Sequence, residues 1–459
     1  MRDLLVTLLV FGSLPAAFRN PFLGLLVFSW LAYMRPQDLC WGFARTMRFS
    51  YIVGIVMVVG FLANERSRPF FRKDFRTYTM ILLVILVGIS MIFGFRQDAF
   101  VWERYLEFDK IILVALITTG LTDSRRRLEI LTWTIALSLG FFGFKDGIMG
   151  ILRGGAPILQ GPGGMMEDNN DFALALNMGI PLLFYLGTFQ ERKWLRLGLY
   201  SAVAFTAVTI LLTHSRGGFL AMTAVFLTLA WRSKQRWKAL GLGALAVPLF
   251  FLLTPRHVLE RIASIEHYQQ DSSAMGRLQA WKAALRMVMI HPLWGVGMRS
   301  FQEAWEDSPQ VWGKSGPPPK GGRVAHNSYL QIWSESGTPA FLCFLALIAS
   351  SFFALRRIRS RARLGRAPPW AGDYARMFEA SFVGFVVGAT FLNRAHFDLF
   401  YQMVGMVTVL EYLALKREVS PAEEEEGGTL LSEGKKEEHG GGLPSWPPPP
   451  LPEGGFRSP

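Results

Sequence analysis

Three stretches of this sequence hold residue types and spacings that could do chemistry. The first is His214-Ser215-Arg216-Gly217-Gly218, squeezed between apolar runs at 197–213 and 217–231. A connector this short leaves Arg216 at or just below a membrane interface, where a charge is costly unless it meets an anion or a partner. Gly217 and Gly218 would let backbone amides approach a phosphate closely. On spacing alone, an arginine snorkelling to lipid headgroups fits equally well.

The second stretch runs from Ser272 to His291, before Pro292. Met275, Leu278, Trp281, Leu285, Val288 and Met289 recur at helical spacing, which predicts a helix lying along the outer interface on that apolar face. Lys282 and Arg286 fall on the opposite side, as solvated charges do. Arg277 does not: offsets of 4, 7 and 11 to Trp281, Ala284 and Val288 put it on the apolar face itself. It either pairs with a carboxylate or grips a lipid-borne phosphate.

The third is Val324-Ala325-His326-Asn327-Ser328-Tyr329-Leu330, at the mouth of another apolar run. A histidine there can serve as general base near neutral pH; a hydrogen-bonded interface histidine is the structural alternative. Glu335, nine residues on, either orients His326 or pairs with an arginine. Gly295-Val296-Gly297 suggests a tight turn. Glu167, Asp168 and Asp171 precede a span, where acids favour a helix N-terminus anyway. Asn393-Arg394-Ala395-His396-Phe397-Asp398 is a further charged turn. No His, Cys and carboxylate set has metal-ligand spacing, and no phosphate-binding P-loop appears, which argues against an ATP-driven pump.

The elements that must position these residues are membrane spans. Of the 459 residues, 51% are hydrophobic and 14% aromatic. Residues 77–95 carry no charge and 328–354 carry only Glu335, so neither run has a polar face to show to water. Candidate spans are 4–18, 21–34, 50–63, 77–95, 108–120, 129–145, 172–189, 197–213, 217–231, 239–254, 328–354, 377–392 and 398–415. The first pair is either a hairpin or one broken segment, so the total is about 12 or 13. A cleaved signal peptide is the less favoured reading of residues 4–18, because the basic flank is only Arg2 beside Asp3.

Basic connectors orient the spans. Arg66–Arg76, Arg125–Arg127, Arg192–Arg196, Arg232–Lys238 and Arg356–Arg366 fall on alternate sides of consecutive spans and so share one face, the cytoplasmic one by the positive-inside rule. The opposite face then holds 35–49, 96–107, 146–171, 214–216, 393–397 and the long loop 255–327. All three chemical stretches lie there. This placement also disposes of nucleic acid as the partner for the net charge of +13. Cys40 and Cys343 are too far apart in sequence and setting to suggest a disulfide framework or a metal site. From about Ser420 the chain turns acidic and rich in Gly and Pro, which predicts a disordered cytoplasmic tail over 419–459.

Taken in order, the pieces resemble the O-antigen ligase/polymerase family of bacterial envelope glycosyltransferases. The matching elements are His214–Gly218, Gly276-Arg277-Leu278 leading to Trp281, His291-Pro292-Leu293-Trp294-Gly295-Val296-Gly297, and Ala325–Leu330. The first portion, Asn20-Pro21 through Tyr33-Met34-Arg35-Pro36-Gln37-Asp38, resembles the subgroup of O-glycosylation ligases associated with exosortase systems. The resemblance implies an all-α, polytopic fold of the C-type membrane glycosyltransferase kind. It divides the chain into an N-terminal membrane region (1–164), a ligase-like core with its periplasmic loop (165–418) and the tail.

The implied reaction is cofactor-free and metal-independent glycosyl transfer in the bacterial inner membrane, at the periplasmic face. The donor would be a glycan on undecaprenyl diphosphate, and the acceptor a hydroxyl on a lipid, a protein or another glycan. By position, Arg216 and Arg277 match the family's diphosphate-binding arginines and His326 its base, with Gly217, Gly218 and Asn327 beside the substrate. A polymerase extending the lipid-linked glycan is one alternative. A non-catalytic lipid or oligosaccharide transporter is another, but no internal repeat is visible and the notable charges sit at one interface.

Overall fold

The computed structural model describes residues 1–65, 68–232, 272–312 and 324–415. The span expected at 239–254, parts of the loop 255–327 and the tail at 419–459 lie outside the described residues.

Helix boundaries follow from caps that the sequence supplies. Asp74, Asp98, Ser124, Asp168 and Asn327 each accept a backbone N–H from the first turn of the helix that follows. Asn20-Pro21 separates α1 (Arg2–Arg19) from α2 (Pro21–Tyr33). At one end of this pair the Asn64 side-chain amide donates to the Phe18 carbonyl (2.7 Å). At the other, the Asp3 carboxylate accepts from the Gly42 and Ala44 amides (2.9 and 3.1 Å). The first two spans are therefore an antiparallel hairpin.

The chain continues with α3 (Phe49–Asn64), α4 (Phe75–Ile92), α5 (Ala99–Leu121), α6 (Arg125–Leu152), α7 (Asn169–Thr188), α8 (Lys193–Leu212) and α9 (Arg216–Arg232). Next come α10 (Ser272–Ile290), the short α11 (Phe301–Asp307) and α12 (Pro309–Trp312), then α13 (Ser328–Arg363), α14 (Pro369–Ala389) and α15 (Asp398–Leu415). The strands are β1 (Gln160–Gly163) and β2 (Met166–Asp168), an antiparallel hairpin ahead of α7 that the sequence did not foretell.

Every expected span except 239–254 falls on one of these helices. Among the described residues six, α4, α6, α7, α8, α13 and α15, are long and apolar enough to cross a membrane, and α2, α3 and α9 are apolar but shorter. The protein is all-α in class and multi-pass in the membrane. Its exposed surface agrees, since Leu8, Leu62, Leu82, Leu137, Leu197 and Phe353 point outward at more than a third exposure. Such a surface would aggregate in water and is at home in lipid. α7 is buried nearly all round, packed by α6, α8, α9 and α14, and α15 is almost as enclosed.

The connectors sort into two ends. At the basic end, Arg68 pairs with Asp123 (2.9 Å), Arg72 lies over the Tyr412 ring (3.6 Å), and Arg125 lies over Trp370 (5.2 Å). Buried Arg76 binds Asp74 (2.8 Å) and Glu411, and Glu411 also takes Arg357. Removing one member of a buried ionic group strands the others. Glu411→Ala should therefore destabilise the protein by about 3 kcal/mol, the low end for such a loss because Asp74 stays with Arg76. Thermal unfolding in detergent measures it. Breaking the more exposed Arg376–Asp373 pair should cost less than about 1 kcal/mol, and an equal effect of the two changes would refute the buried-network argument.

At the other end, here the loop end, α13 is broken. Gly337 has φ +81° and ψ 174°, and Pro339 follows it. Proline has no N–H for the carbonyl of Glu335 four residues back, and the break takes Thr338 away from Ser334. The turn at 291–297 repairs both losses. Val296 donates to the Ser334 carbonyl (2.9 Å), Gly297 to that of Glu335 (2.8 Å), and Thr338 to that of Pro292 (2.8 Å). The Ser90 hydroxyl of α4 also donates to the Glu335 carbonyl (2.8 Å). The glycines are required here: a Cβ on Gly297 would stand 2.5 Å from the Gly94 Cα, and one on Gly295 2.6 Å from the Glu335 carbonyl.

Candidate functional site

The chemical stretches meet at the loop end. Thr213, His214 and Ser215 turn the chain from α8 into α9, with His214 in the left-handed region (φ +55°). The Ser215 hydroxyl accepts the Gly218 amide (3.0 Å), so that N–H is used as a helix cap. A Cβ on Gly217 would lie 2.7 Å from the Phe391 Cβ, and one on Gly218 2.7 Å from the Ala173 Cβ. Close packing thus requires glycine at both positions, whatever their backbone amides meet. Arg216 follows in the first turn, half-buried.

The α10 helix packs on the protein by a different face from the one that carries its large apolar residues. Its buried face is small: Ala280, Ala283, Ala284 and Met287 pack with Val296, Phe301, Ala304, Trp305 and Val311. Met275, Leu285 and Met289, from the face expected along the outer interface, are 39%, 44% and 72% exposed, which leaves that face open on the surface. Alanines win because they let α10 approach the 291–312 segment closely, whereas long side chains would hold it away. Arg286 is not merely solvated either, since it donates to the carbonyls of Val311 (3.0 Å) and Trp312 (2.5 Å). Arg277 shares its stripe with Trp281, Ala284 and Val288. The Trp281 indole donates to the Ala325 carbonyl (2.9 Å), next to His326. His326 is exposed and left-handed (φ +47°). Asn327 is nearly buried, and its side chain caps α13 by accepting the amides of Tyr329 and Leu330 (both 3.0 Å).

The turn at 390–397 ties these pieces together. The Ser328 hydroxyl donates to the Leu392 carbonyl (2.8 Å) and accepts the Arg394 amide (2.9 Å). Phe391 packs on Gly217, beside Arg216. Arg394 pairs with Asp171 of α7, so two stretches that seemed minor in sequence form one ion pair. Asp168 is the α7 cap, accepting the Asn170 amide (2.8 Å). Glu335 is buried beside Gln331 (3.4 Å) and within the field of Arg299. Of its two expected roles, proximity to an arginine is the one the structure displays.

Sequence reasoning passed over Arg299, met Arg35 only within a run that carries the resemblance, and read His396 only as part of a charged turn. Among the described residues, the non-glycine positions with positive φ are Arg35, His214, Arg299 and His326, all at the loop end. Strain of this kind persists where the surroundings over-determine it and clusters at functional sites. No spacing rule reveals it beforehand. His396 is buried against Phe108 (ring centroids 4.6 Å), and its Nε2 has no hydrogen-bond partner among the described residues. Burial pushes this imidazole down from 6.5 to about 3, and the charges of Arg299 and Arg394 act the same way.

Between those values the unfolded chain binds a proton that the folded chain refuses, so this contribution to stability is complete above about 6.5 and falls as pH drops. The slope is about 1.4 kcal/mol per pH unit. Melting curves near neutral pH and near about pH 5 should show the loss, and His396→Gln should flatten it. An unchanged slope in His396→Gln would remove His396 as the cause.

Two family models match this chain. One, described as O-Antigen ligase, covers residues 201–345; the other, a family of unknown function (DUF5935), covers residues 1–189. No curated protein matches it. The first match spans the α9 turn, α10, the 291–297 plug and the start of α13, which are the pieces assembled above. The chain thus carries an O-antigen ligase family domain at residues 201–345, set in a multi-pass membrane protein.

Proposed function

We propose that this protein transfers a glycan from undecaprenyl diphosphate to an acceptor hydroxyl at the periplasmic face of a bacterial inner membrane. The observation that carries the reading is the Trp281–Ala325 hydrogen bond, which fastens the Arg277 stripe of α10 beside His326. The turn at 390–397 supports it by joining Ser328 to the residue that packs on Gly217, next to Arg216.

His326 accepts the proton of the acceptor hydroxyl. The oxygen forms a bond to the anomeric carbon, and the bond from that carbon to the diphosphate oxygen breaks. The electron pair leaves on undecaprenyl diphosphate, whose charge Arg216 and Arg277 meet with bidentate donors. An exposed His326 suits a base that must reach a large acceptor. Gly217, Gly218 and Asn327 act as positioning residues in this scheme, through packing and capping. The division into an N-terminal membrane region (1–164), a catalytic core (165–418) and a tail (419–459) belongs to this reading, as does a partnership with an exosortase system.

The test is an assay in membranes supplied with a glycan on undecaprenyl diphosphate. Wild type should consume the donor, and Arg216→Ala, Arg277→Ala and His326→Ala should not at comparable rates. Product on a lipid or protein marks a ligase, and a lengthened lipid-linked glycan marks a polymerase. If all three folded variants act at the wild-type rate, the site is elsewhere.

A further inference from the structure

A cavity of about 510 Å³ opens at the loop end among the end of α2, the start of α5, the β hairpin, residues 298–299 and the 393–398 turn. Arg216, Arg277 and His326 do not line it. Five cations line it, Arg35, Arg104, Lys110, Arg299 and Arg394, against three acids, Glu107, Glu167 and Asp398, and Phe28 and Phe108 form an apolar wall. Such a volume and mixed lining suit a small ligand with one strongly polar end.

The cations differ in how they are satisfied. Arg35 pairs with Asp38, Arg104 with Glu107 (2.6 Å), and Arg394 with Asp171. Among the described residues, Lys110 has only the Tyr51 ring (5.2 Å) and Arg299 makes no ion pair. The Arg299 Nε is buried without a hydrogen-bond partner among the described residues. Burial weighs most on the Arg299 charge, Glu335 offsets part of it, Arg394 and Arg104 add to it, and Glu107 opposes them. Gathering like charges on a half-buried residue is unfavourable until an anion answers them.

The backbone is shaped for the same end. Arg299 is held at φ +61°, an uncommon conformation for a residue with a side chain, behind the Gly297 turn that plugs the α13 break. Gly164, at φ +57° in the hairpin, leaves open the space that Arg35 fills, since a Cβ there would stand 2.1 Å from the Arg35 Nη1. His396, only 8% exposed, lines the cavity with its Nε2 unpartnered. A neutral imidazole can donate to an oxyanion or accept from a phosphate hydroxyl.

We propose that this cavity is an oxyanion site, separate from the Arg216, Arg277 and His326 set, that takes a phosphate carried on a sugar-sized group. Arg299 and Lys110 supply the charge, and His396 supplies a hydrogen bond. The phosphate could reach the cavity on a soluble sugar or on a lipid headgroup, and the chemistry of recognition is the same. This site goes beyond the transfer reaction and does not require it.

The full-length chain in phosphatidylcholine nanodiscs, titrated with glucose 1-phosphate and with glucose by calorimetry, tests the proposal. Glucose 1-phosphate should bind and glucose should not. Arg299→Gln and Lys110→Gln should each weaken binding by about tenfold, the scale of one charge-assisted hydrogen bond, while Arg216→Gln leaves it within about twofold. Discs doped with phosphatidylglycerol separate the sources: competition assigns the site to lipid phosphate, and an unchanged titration assigns it to the soluble ester. Melting curves confirm that each variant is folded. No heat with glucose 1-phosphate in either disc, equal affinity in wild type and both cavity variants, or a loss confined to Arg216→Gln would each overturn it.

Discussion

Replacing His326 by alanine should slow glycan transfer by about 10²–10⁴-fold, the usual worth of a positioned general base. A hydroxyl is a poor nucleophile while it keeps its proton, and His326 follows Ala325, whose carbonyl takes the Trp281 indole one helical turn along α10 from Arg277. Arg216→Ala and Arg277→Ala should each cost about 10²–10³-fold, because each removes a donor from the charge that grows on the leaving diphosphate. Lysine at either position should restore only part of the rate, since it offers a point charge where a fork of N–H groups is wanted. Combining His326→Ala with Arg277→Ala should cost less than the product of the single losses, as happens when residues act on one transition state. Initial rates in membranes, with folding checked by melting curves, measure all of this. A His326→Ala rate within about threefold of wild type would remove the base from the scheme.

A second large effect is expected at Gly337, which touches no proposed substrate. Its φ and ψ lie in a region reserved for glycine, and a Cβ would stand 2.1 Å from the Leu293 carbonyl oxygen. Gly337→Ala should therefore displace the 291–297 turn and cost more than about 3 kcal/mol, with transfer falling alongside stability. Pro339→Ala is the informative contrast. It returns an N–H to the chain, but the Glu335 carbonyl already has Gly297 and Ser90, so the cost should stay below about 1 kcal/mol. Thermal unfolding with hydrogen exchange across 291–300 reads both. A Gly337→Ala protein with wild-type melting and protection would show that the plug tolerates a side chain there.

The spans and their alternation were legible in the sequence because lipid demands long apolar runs and leaves bases in the connectors. Arg277 was legible too, since its offsets to Trp281 and Val288 are a matter of helical period. The break in α13 was not. A glycine and a proline in an apolar run are tolerated whenever something nearby completes the backbone, and that something lies forty residues upstream at 291–297. Nor could spacing foretell the pairing of Arg394 with Asp171, which stand 223 residues apart. The packing face of α10 went unread for a different reason: counting large apolar residues finds greasy surface, whereas close contact between backbones is made by alanine. At Gly217 and Gly218 the sequence shows residues that suit a phosphate, and the structure adds that both positions are pressed against neighbouring side chains.

The plug in α13 also bears on how the protein comes to be assembled. Ser334 and Glu335 are buried, and without residues 291–297 the Ser334 carbonyl would have no backbone donor and the Glu335 carbonyl only the Ser90 hydroxyl. Each buried carbonyl left bare costs about 1–3 kcal/mol. The ribosome makes Ser90 first, then the plug, and only afterwards the helix they complete. By the time α13 leaves the ribosome both partners exist, so the order of synthesis supplies each donor before its acceptor. A chain permuted to place 328–415 ahead of 291–297 would have to insert a helix with its carbonyls unanswered, and the native order spares it that state.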